Sequence, residues 1–138
     1  MSKSYKRAAV GLIRNDQDKI LMGRRNDTQK WTVPAGKLKN KECPYEGMAR
    51  ELKEETGLDA KEIKLLKVVF ENNVILYLFE IKINKDQEID TSNDPDKECD
   101  NWTYEDPFDH IKELHIPANK NLALKYWAKS GELWIMRF

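Results

Sequence analysis

The chain has 138 residues, enough for one domain with a sizeable core, and its 24 basic and 24 acidic side chains leave a formal net charge of zero. That balance gives no bulk electrostatic reason to bind nucleic acid or a membrane surface, so an anionic ligand has to be held by local charge. No apolar stretch approaches a membrane span, no signal-peptide-like run opens the chain, and Cys43 and Cys99 stand apart in sequence; a cytoplasmic protein with free thiols is expected.

In chain order, Lys6 to Arg14, Lys19 to Arg25 and Trp31 to Pro34 read as strands, with Asn15 to Asp18 as a hairpin turn. Pro44 suits the first turn of a helix, where its missing N–H would be unpaired anyway, and Gly57 can adopt the left-handed conformation that ends one. A helix from about Pro44 to Thr56 is therefore predicted. Ile63 to Glu71 and Val74 to Ile83 form a second hairpin around Asn72 and Asn73, and Ile75, Tyr77, Phe79, Ile81 and Ile83 alternate as a core-facing strand would. Asn84 to Asn101 is acidic, too polar to pack, and reads as a loop. Trp102 to Tyr104 can be a strand, Asp106-Pro107 a cap and first helical residue, and Asn121 to Lys129 a helix ending near Gly131. The apolar tail Leu133 to Phe138 reads as an extra strand or packing arm; it could serve a homodimer interface or cover the protein's own core. With no repeat or linker, residues 1–138 are expected to form a single domain, and strands interrupted by two or three helices suggest an α+β or α/β/α sandwich.

The predicted helix carries the chemistry. At 100° per residue, Tyr45, Ala49, Leu52 and Thr56 fall within a stripe about 60° wide, with Glu51, Glu54 and Glu55 on the opposite side. The three carboxylates can converge, and like charges at such spacings destabilise a helix unless something positive sits among them. Taken alone, three glutamates on a helix are usually a solvated face. Oxygen-rich clusters, however, suit hard divalent cations such as Mg2+ or Mn2+, which also bind phosphate oxygens. Gly47, one turn before Glu51, leaves room on that face for a ligand. Arg50 can pair with Glu46 or Glu54 as an ordinary surface cation.

These residues sit in GKLKNKECPYEGMARELKEETGL, which runs from Gly36 to Leu58. The order Gly36, five residues, Glu42, seven residues, then Arg50-Glu51-Leu52-Lys53-Glu54-Glu55-Thr56-Gly57-Leu58 resembles the Nudix hydrolase signature at every specified position. The preceding Trp31-Thr32-Val33-Pro34-Ala35-Gly36 is similar to the strand that enters this box in many members, although Ala35 stands where nucleoside-triphosphate hydrolases often have a second glycine. Asp94-Pro95-Asp96-Lys97-Glu98-Cys99-Asp100-Asn101-Trp102 resembles the acidic, proline-containing segment before a tryptophan in some nucleotide-hydrolysing members, although it is one residue longer here and an aspartate replaces the more usual glutamate.

The resemblance implies the Nudix fold, a mixed β-sheet sandwiched between α-helices (an α/β/α sandwich), and Mg2+- or Mn2+-dependent hydrolysis of a diphosphate linkage in a nucleoside diphosphate joined to another group, releasing a nucleoside monophosphate. It implies that Glu51 and Glu55 are the principal metal ligands, that the Gly36 carbonyl adds an oxygen, and that Glu54 is a ligand or the base acting on water, oriented by Arg50. A further loop carboxylate is expected, with Glu98 first, then Asp94 and Glu105. Glu42 ties the box loop to the helix or is a plain surface residue. For substrate, Arg24 and Arg25 could contact phosphates together with Lys37 or Lys39, and Phe70, Tyr77, Trp102 and Trp31 are flat partners for a base; core packing and solvated cations are the ordinary alternatives. Nucleoside triphosphates, dinucleoside polyphosphates and ADP-ribose-like compounds stay open in that order, and an RNA cap is less attractive at zero net charge. A non-catalytic nucleotide-sensing module is the competing reading, although no box glutamate is missing. An isomerase on the same scaffold would need more than His110 and His115.

Overall fold

In a computed structural model of the chain, residues 5–95 and 97–114 are described. Seven strands and one α-helix follow in the order β1 (Lys6–Ile13), β2 (Ile20–Arg25), β3 (Trp31–Thr32), β4 (Ala35–Lys37), α1 (Pro44–Thr56), β5 (Ala60–Glu71), β6 (Val74–Ile83) and β7 (Cys99–Glu105), with 3-10 turns over Pro107–Glu113. A four-stranded sheet runs β4-β1-β6-β5 and a three-stranded sheet β3-β2-β7. The β1/β6 pair is parallel and the other pairings are antiparallel, so the α+β expectation holds. The predicted helix Asn121 to Lys129 and the tail Leu133 to Phe138 lie outside the described residues.

The local signals that define these elements are physical. Asn15 Oδ1 accepts from the N–H groups of Gln17 and Lys19, both at 2.9 Å, and closes the β1–β2 turn. Asn72 and Asn73 both take positive φ, 52° and 62°, which a tight hairpin demands and asparagine tolerates. Pro44 opens α1, and Gly57 ends it at φ 77° with its N–H on the Lys53 carbonyl. The Asp106 carboxylate accepts from the Phe108 N–H at 2.9 Å, as the cap reading required.

β1 and β6 are buried on both faces. Val10, Leu12, Leu76 and Leu78 pack with Ile20, Met22 and Val33 in one cluster, while Ala9, Ile13, Phe79 and Ile81 pack with Met48 and Leu52 of α1 in another. The helix comes close at Gly11, where a Cβ would run into the side chains of Ile81 and Met48.

Several expectations need correction. The strand predicted to run to Pro34 breaks after Thr32, and a short β4 that sequence patterning missed pairs with β1. β5 starts at Ala60 rather than Ile63, and β7 at Cys99 rather than Trp102. The packed face of α1 is Gly47, Met48, Leu52 and Thr56, whereas Tyr45 is exposed. Gly47 leaves no space for a ligand, because a Cβ there would overlap the Leu38 side chain and press on the Glu42 carboxylate. The polar stretch before β7 is held to the helix end: the Asp90 N–H donates to Thr56 O at 2.7 Å, Gln87 makes two hydrogen bonds to the Asp59 backbone, and Asp94 is buried.

Candidate active site

The loop from Gly36 into α1 is organised by one cation. Arg50 Nε and Nη2 donate to the two oxygens of Glu42 at 2.9 and 3.0 Å, Nη2 also reaches the Lys37 carbonyl at 3.2 Å, and Nη1 lies 3.0 Å from Glu51 Oε1 and 3.2 Å from Glu54 Oε2. The Lys39 N–H donates to Glu42 Oε1 at 2.9 Å, so Glu42 does tie the loop to the helix. Arginine suits this place because its planar fork can serve a carboxylate bidentately and still donate elsewhere. That contact holds the Glu42 carboxyl down at about 2.

Beside this network lies a cleft of about 680 Å³ between the two sheets. One wall comes from Lys6, Ala8, Ala35, Lys37, Val74 and Leu76, which strand register places on one face of the four-stranded sheet. Arg25, Asn26, Thr32, Val33 and Trp102 of the other sheet stand opposite, and Glu51, Glu55, Asp94 and Glu98 supply carboxylates. Gly36 belongs here for a steric reason, since a Cβ on it would overlap the Glu51 carboxylate. Only glycine lets main chain and carboxylate approach so closely.

The electrostatics show what this crowding costs. Glu55 Oε1 accepts from the Ala35 N–H at 3.1 Å, yet burial, followed by the negative charges of Glu51, Glu98 and Asp94, pushes its carboxyl up to about 9. Burial also raises Glu51, although Arg50 opposes the shift. The Cys99 thiol, buried next to Glu55 and Glu98, is pushed up to about 12. Among the described residues no three side chains already form a metal cage; Arg50 contacts Glu51 and Glu54, and the Ala35 amide holds Glu55. The donor set is nonetheless all oxygen, and burial together with the neighbouring carboxylates disfavours ionisation of Glu55. A divalent cation fits both features.

The structure brings Gly36, Lys37, Glu51, Glu55, Asp94, Glu98 and Arg25 to one cleft and leaves other predicted residues away from it. Glu54 is off the cleft wall, on Arg50. Arg25 and Glu98 face each other, Nη1 to Oε2 at 3.5 Å, and Arg25 is also bidentate to Asp27, so neither is a bare charge. Arg24 donates to the Gln29 carbonyl and lies 5.9 Å from the Trp31 ring centroid, and Trp31 stacks on His110 at 4.3 Å. Tyr77 joins the cluster under α1, where it stacks near Phe79. Phe70 is 60% exposed on β5, edge-on to Tyr5. Neither Tyr77 nor Phe70 reaches the cleft; of the four aromatic candidates only Trp102 lines it. Glu105 binds His110 at 2.8 Å, away from the helix carboxylates. Lys6 is among the cleft residues that sequence reasoning passed over, with Arg7, Asn26, Asp27 and Lys97; its signal, strand parity with Lys37, needs the β1/β4 pairing to be seen.

Comparison with known proteins bears on the family and the fold. An RNA pyrophosphohydrolase of Ectopseudomonas mendocina is 39% identical over 61 residues, a match that spans 44% of this chain and 38% of that protein. The chain thus matches less than half the length of the curated relatives. Among solved structures, a Nudix hydrolase from Nitrosomonas europaea superposes with TM-score 0.73 at 17% identity, covering 98% of this chain and 97% of the other. An ADP-ribose pyrophosphatase from Streptococcus suis gives TM-score 0.67 at 23% identity over 94% and 95% of the two chains. Both likenesses speak for the fold. The family model for the NUDIX domain matches residues 4–126, and the chain belongs to that family.

Proposed function

We propose that this protein is a Nudix pyrophosphohydrolase that uses Mg2+ or Mn2+ to hydrolyse the diphosphate linkage of a nucleoside diphosphate joined to another group, releasing a nucleoside monophosphate. The observation that carries this reading is the meeting of Glu51 and Glu55 from α1 with Asp94 and Glu98 from the segment before β7, all on one cleft beside the Gly36 main chain. Glu51, Glu55 and the Gly36 carbonyl would hold the ion, joined by a carboxylate of the segment before β7, Glu98 or Asp94, both of which line the cleft. When bound, such an ion neutralises diphosphate oxygens and lowers the pKa of water.

The chain's own groups then have separable tasks. Arg50 positions Glu51 and Glu54, and Glu42 positions Arg50. Glu54 acts as base on the attacking water once its carboxylate leaves Arg50. Lys37, on the cleft wall, takes a phosphate oxygen. The apolar strip of Ala8, Val33, Leu76 and Trp102 receives the base. Nucleoside triphosphates, dinucleoside polyphosphates and ADP-ribose-like compounds are the substrate classes, and the names of the relatives above, one acting on RNA and one on ADP-ribose, fall within the same chemistry. Two free cysteines suit action in a reducing cytoplasm.

The test is incubation of the full chain with Mg2+ or Mn2+ and a nucleotide panel, with product identification by mass spectrometry. Metal-dependent release of a nucleoside monophosphate is expected and should vanish on chelation. Tight nucleotide binding without turnover would replace the enzyme reading with a sensing module.

A further inference from the structure

Glu51 and Glu55 of α1 stand against β4 in the cleft, and Lys6 and Lys37 project from the same face of the four-stranded sheet, because Lys37 pairs with Ala8 and Lys6 lies two residues along β1; Arg7 and Lys97 also line the cleft. On neighbouring antiparallel strands such a diagonal pair has Cα atoms roughly 7–8 Å apart, within reach of two lysine side chains converging on one group. Among the described residues neither lysine has a carboxylate within ion-pairing distance, whereas Arg25 across the cleft is neutralised by Asp27 at 2.8 Å and Glu98 at 3.5 Å. From Gly36 to Lys37 and on to Lys6 is about 10 Å of sheet at some 3.3 Å per residue. A diphosphate held beside Glu51 and Glu55 therefore directs whatever is attached to it toward two uncompensated ammonium groups.

Resting on the reading under Proposed function, we propose that Lys6 and Lys37 form an anion-binding lip that selects substrates carrying a phosphate in addition to the bridge that is cleaved. The chemical class is a nucleotide with a third phosphoryl group. That group comes either from the end of a triphosphate chain or from a phosphorylated ribose. ADP-ribose, whose distal part is a neutral sugar, leaves the lip unsatisfied. Lys6 is then a specificity-determining residue. It sits at the exposed start of β1, so its replacement does not threaten the core.

The experiment compares kcat/KM for ADP-ribose, ADP-ribose 2′-phosphate and ATP with the wild-type chain, Lys6→Ala and Lys6→Arg, together with calorimetric titration of inorganic tripolyphosphate and pyrophosphate in Mg2+. Wild type is expected to prefer at least one phosphate-bearing nucleotide over ADP-ribose, and Lys6→Ala to shrink that preference about tenfold, as loss of one charge-assisted contact implies. Lys6→Arg should restore it. The 2′-phosphate and ATP arms tell which source fills the lip. Tripolyphosphate should lose affinity for Lys6→Ala by more than pyrophosphate does. If all three nucleotides are cleaved with the same selectivity in wild type and Lys6→Ala, the lip is refuted while the hydrolase reading stands. If none is cleaved, the hydrolase reading falls, and an unchanged tripolyphosphate affinity in Lys6→Ala would refute the lip as well.

Discussion

Replacing Glu55 with glutamine sets stability against function. Burial and the neighbouring Glu51, Glu98 and Asp94 raise this carboxyl from 4.5 to about 9. At about pH 7.5 the unfolded chain has lost the proton and the folded chain keeps it. A folded-state pKa above the unfolded one makes stability greatest below pH 4.5 and erodes it as pH climbs toward 9. At roughly 1.36 kcal/mol per unit the full cost near pH 7.5 is about 4 kcal/mol, and water in the open cleft reduces this to about 2 kcal/mol. Glutamine keeps an oxygen for the Ala35 N–H and carries no proton to titrate. In chelator, Glu55→Gln should therefore be more stable than wild type by about 2 kcal/mol near pH 7.5 and equal to it near pH 4. Denaturant unfolding across pH measures this. Saturating Mg2+ should stabilise wild type and leave the variant unmoved, while turnover falls by a factor on the order of a thousand. A variant no more stable than wild type in chelator, or one that Mg2+ stabilises equally, would refute the reasoning.

Three other outcomes are expected. Glu54→Gln should lower kcat by about 10²–10⁴-fold with unchanged circular dichroism, the range for loss of a positioned base, and a wild-type rate would remove Glu54 from the chemistry. Gly36→Ala should displace the Glu51 carboxylate it would overlap and weaken Mn2+ binding at least about tenfold, as read by electron paramagnetic resonance of free Mn2+. Arg50→Ala should destabilise the chain by about 2 kcal/mol, because it strands Glu42, and adding Glu42→Gln should recover part of that loss in a double-mutant cycle.

Sequence legibility followed the range of the forces involved. The boundaries of α1 were legible because Pro44 and Gly57 act on their own backbone, and the hairpins because Asn15, Asn72 and Asn73 do the same. β4 was not, since Ala35-Gly36-Lys37 has no strand pattern and becomes one only by pairing with Ala8 to Val10. The charged start of β5 hid an edge strand that needs little burial on either face. Tyr77 was misplaced as a base partner for a related reason. β6 is apolar on both faces, so alternation groups Tyr77 with Phe79 without revealing that their side faces α1 while Leu76 faces the cleft. The burial of Asp94, within a segment of polar composition, follows from how the chain returns past Thr56 and is invisible to composition.

Arg50 explains how such a helix folds before any metal arrives. Glu51 and Glu54 are three apart on one face and would repel each other, and the guanidinium lies within about 3 Å of both while Glu42 anchors it from the loop. The arginine thus serves as a resident counter-ion, and a divalent ion has to compete with it for Glu51. Glu42 sets the terms of that competition, because its bidentate grip keeps the guanidinium near the helix even after Glu51 is taken. Glu55 has no such partner and stays protonated instead. Ion capture should therefore release about one proton near neutral pH, and that proton should come from Glu55 rather than Glu51. Isothermal titration of wild type with Mn2+ in buffers of different ionisation enthalpy counts the proton; a release of zero, or one undiminished in Glu55→Gln, would place the ion elsewhere.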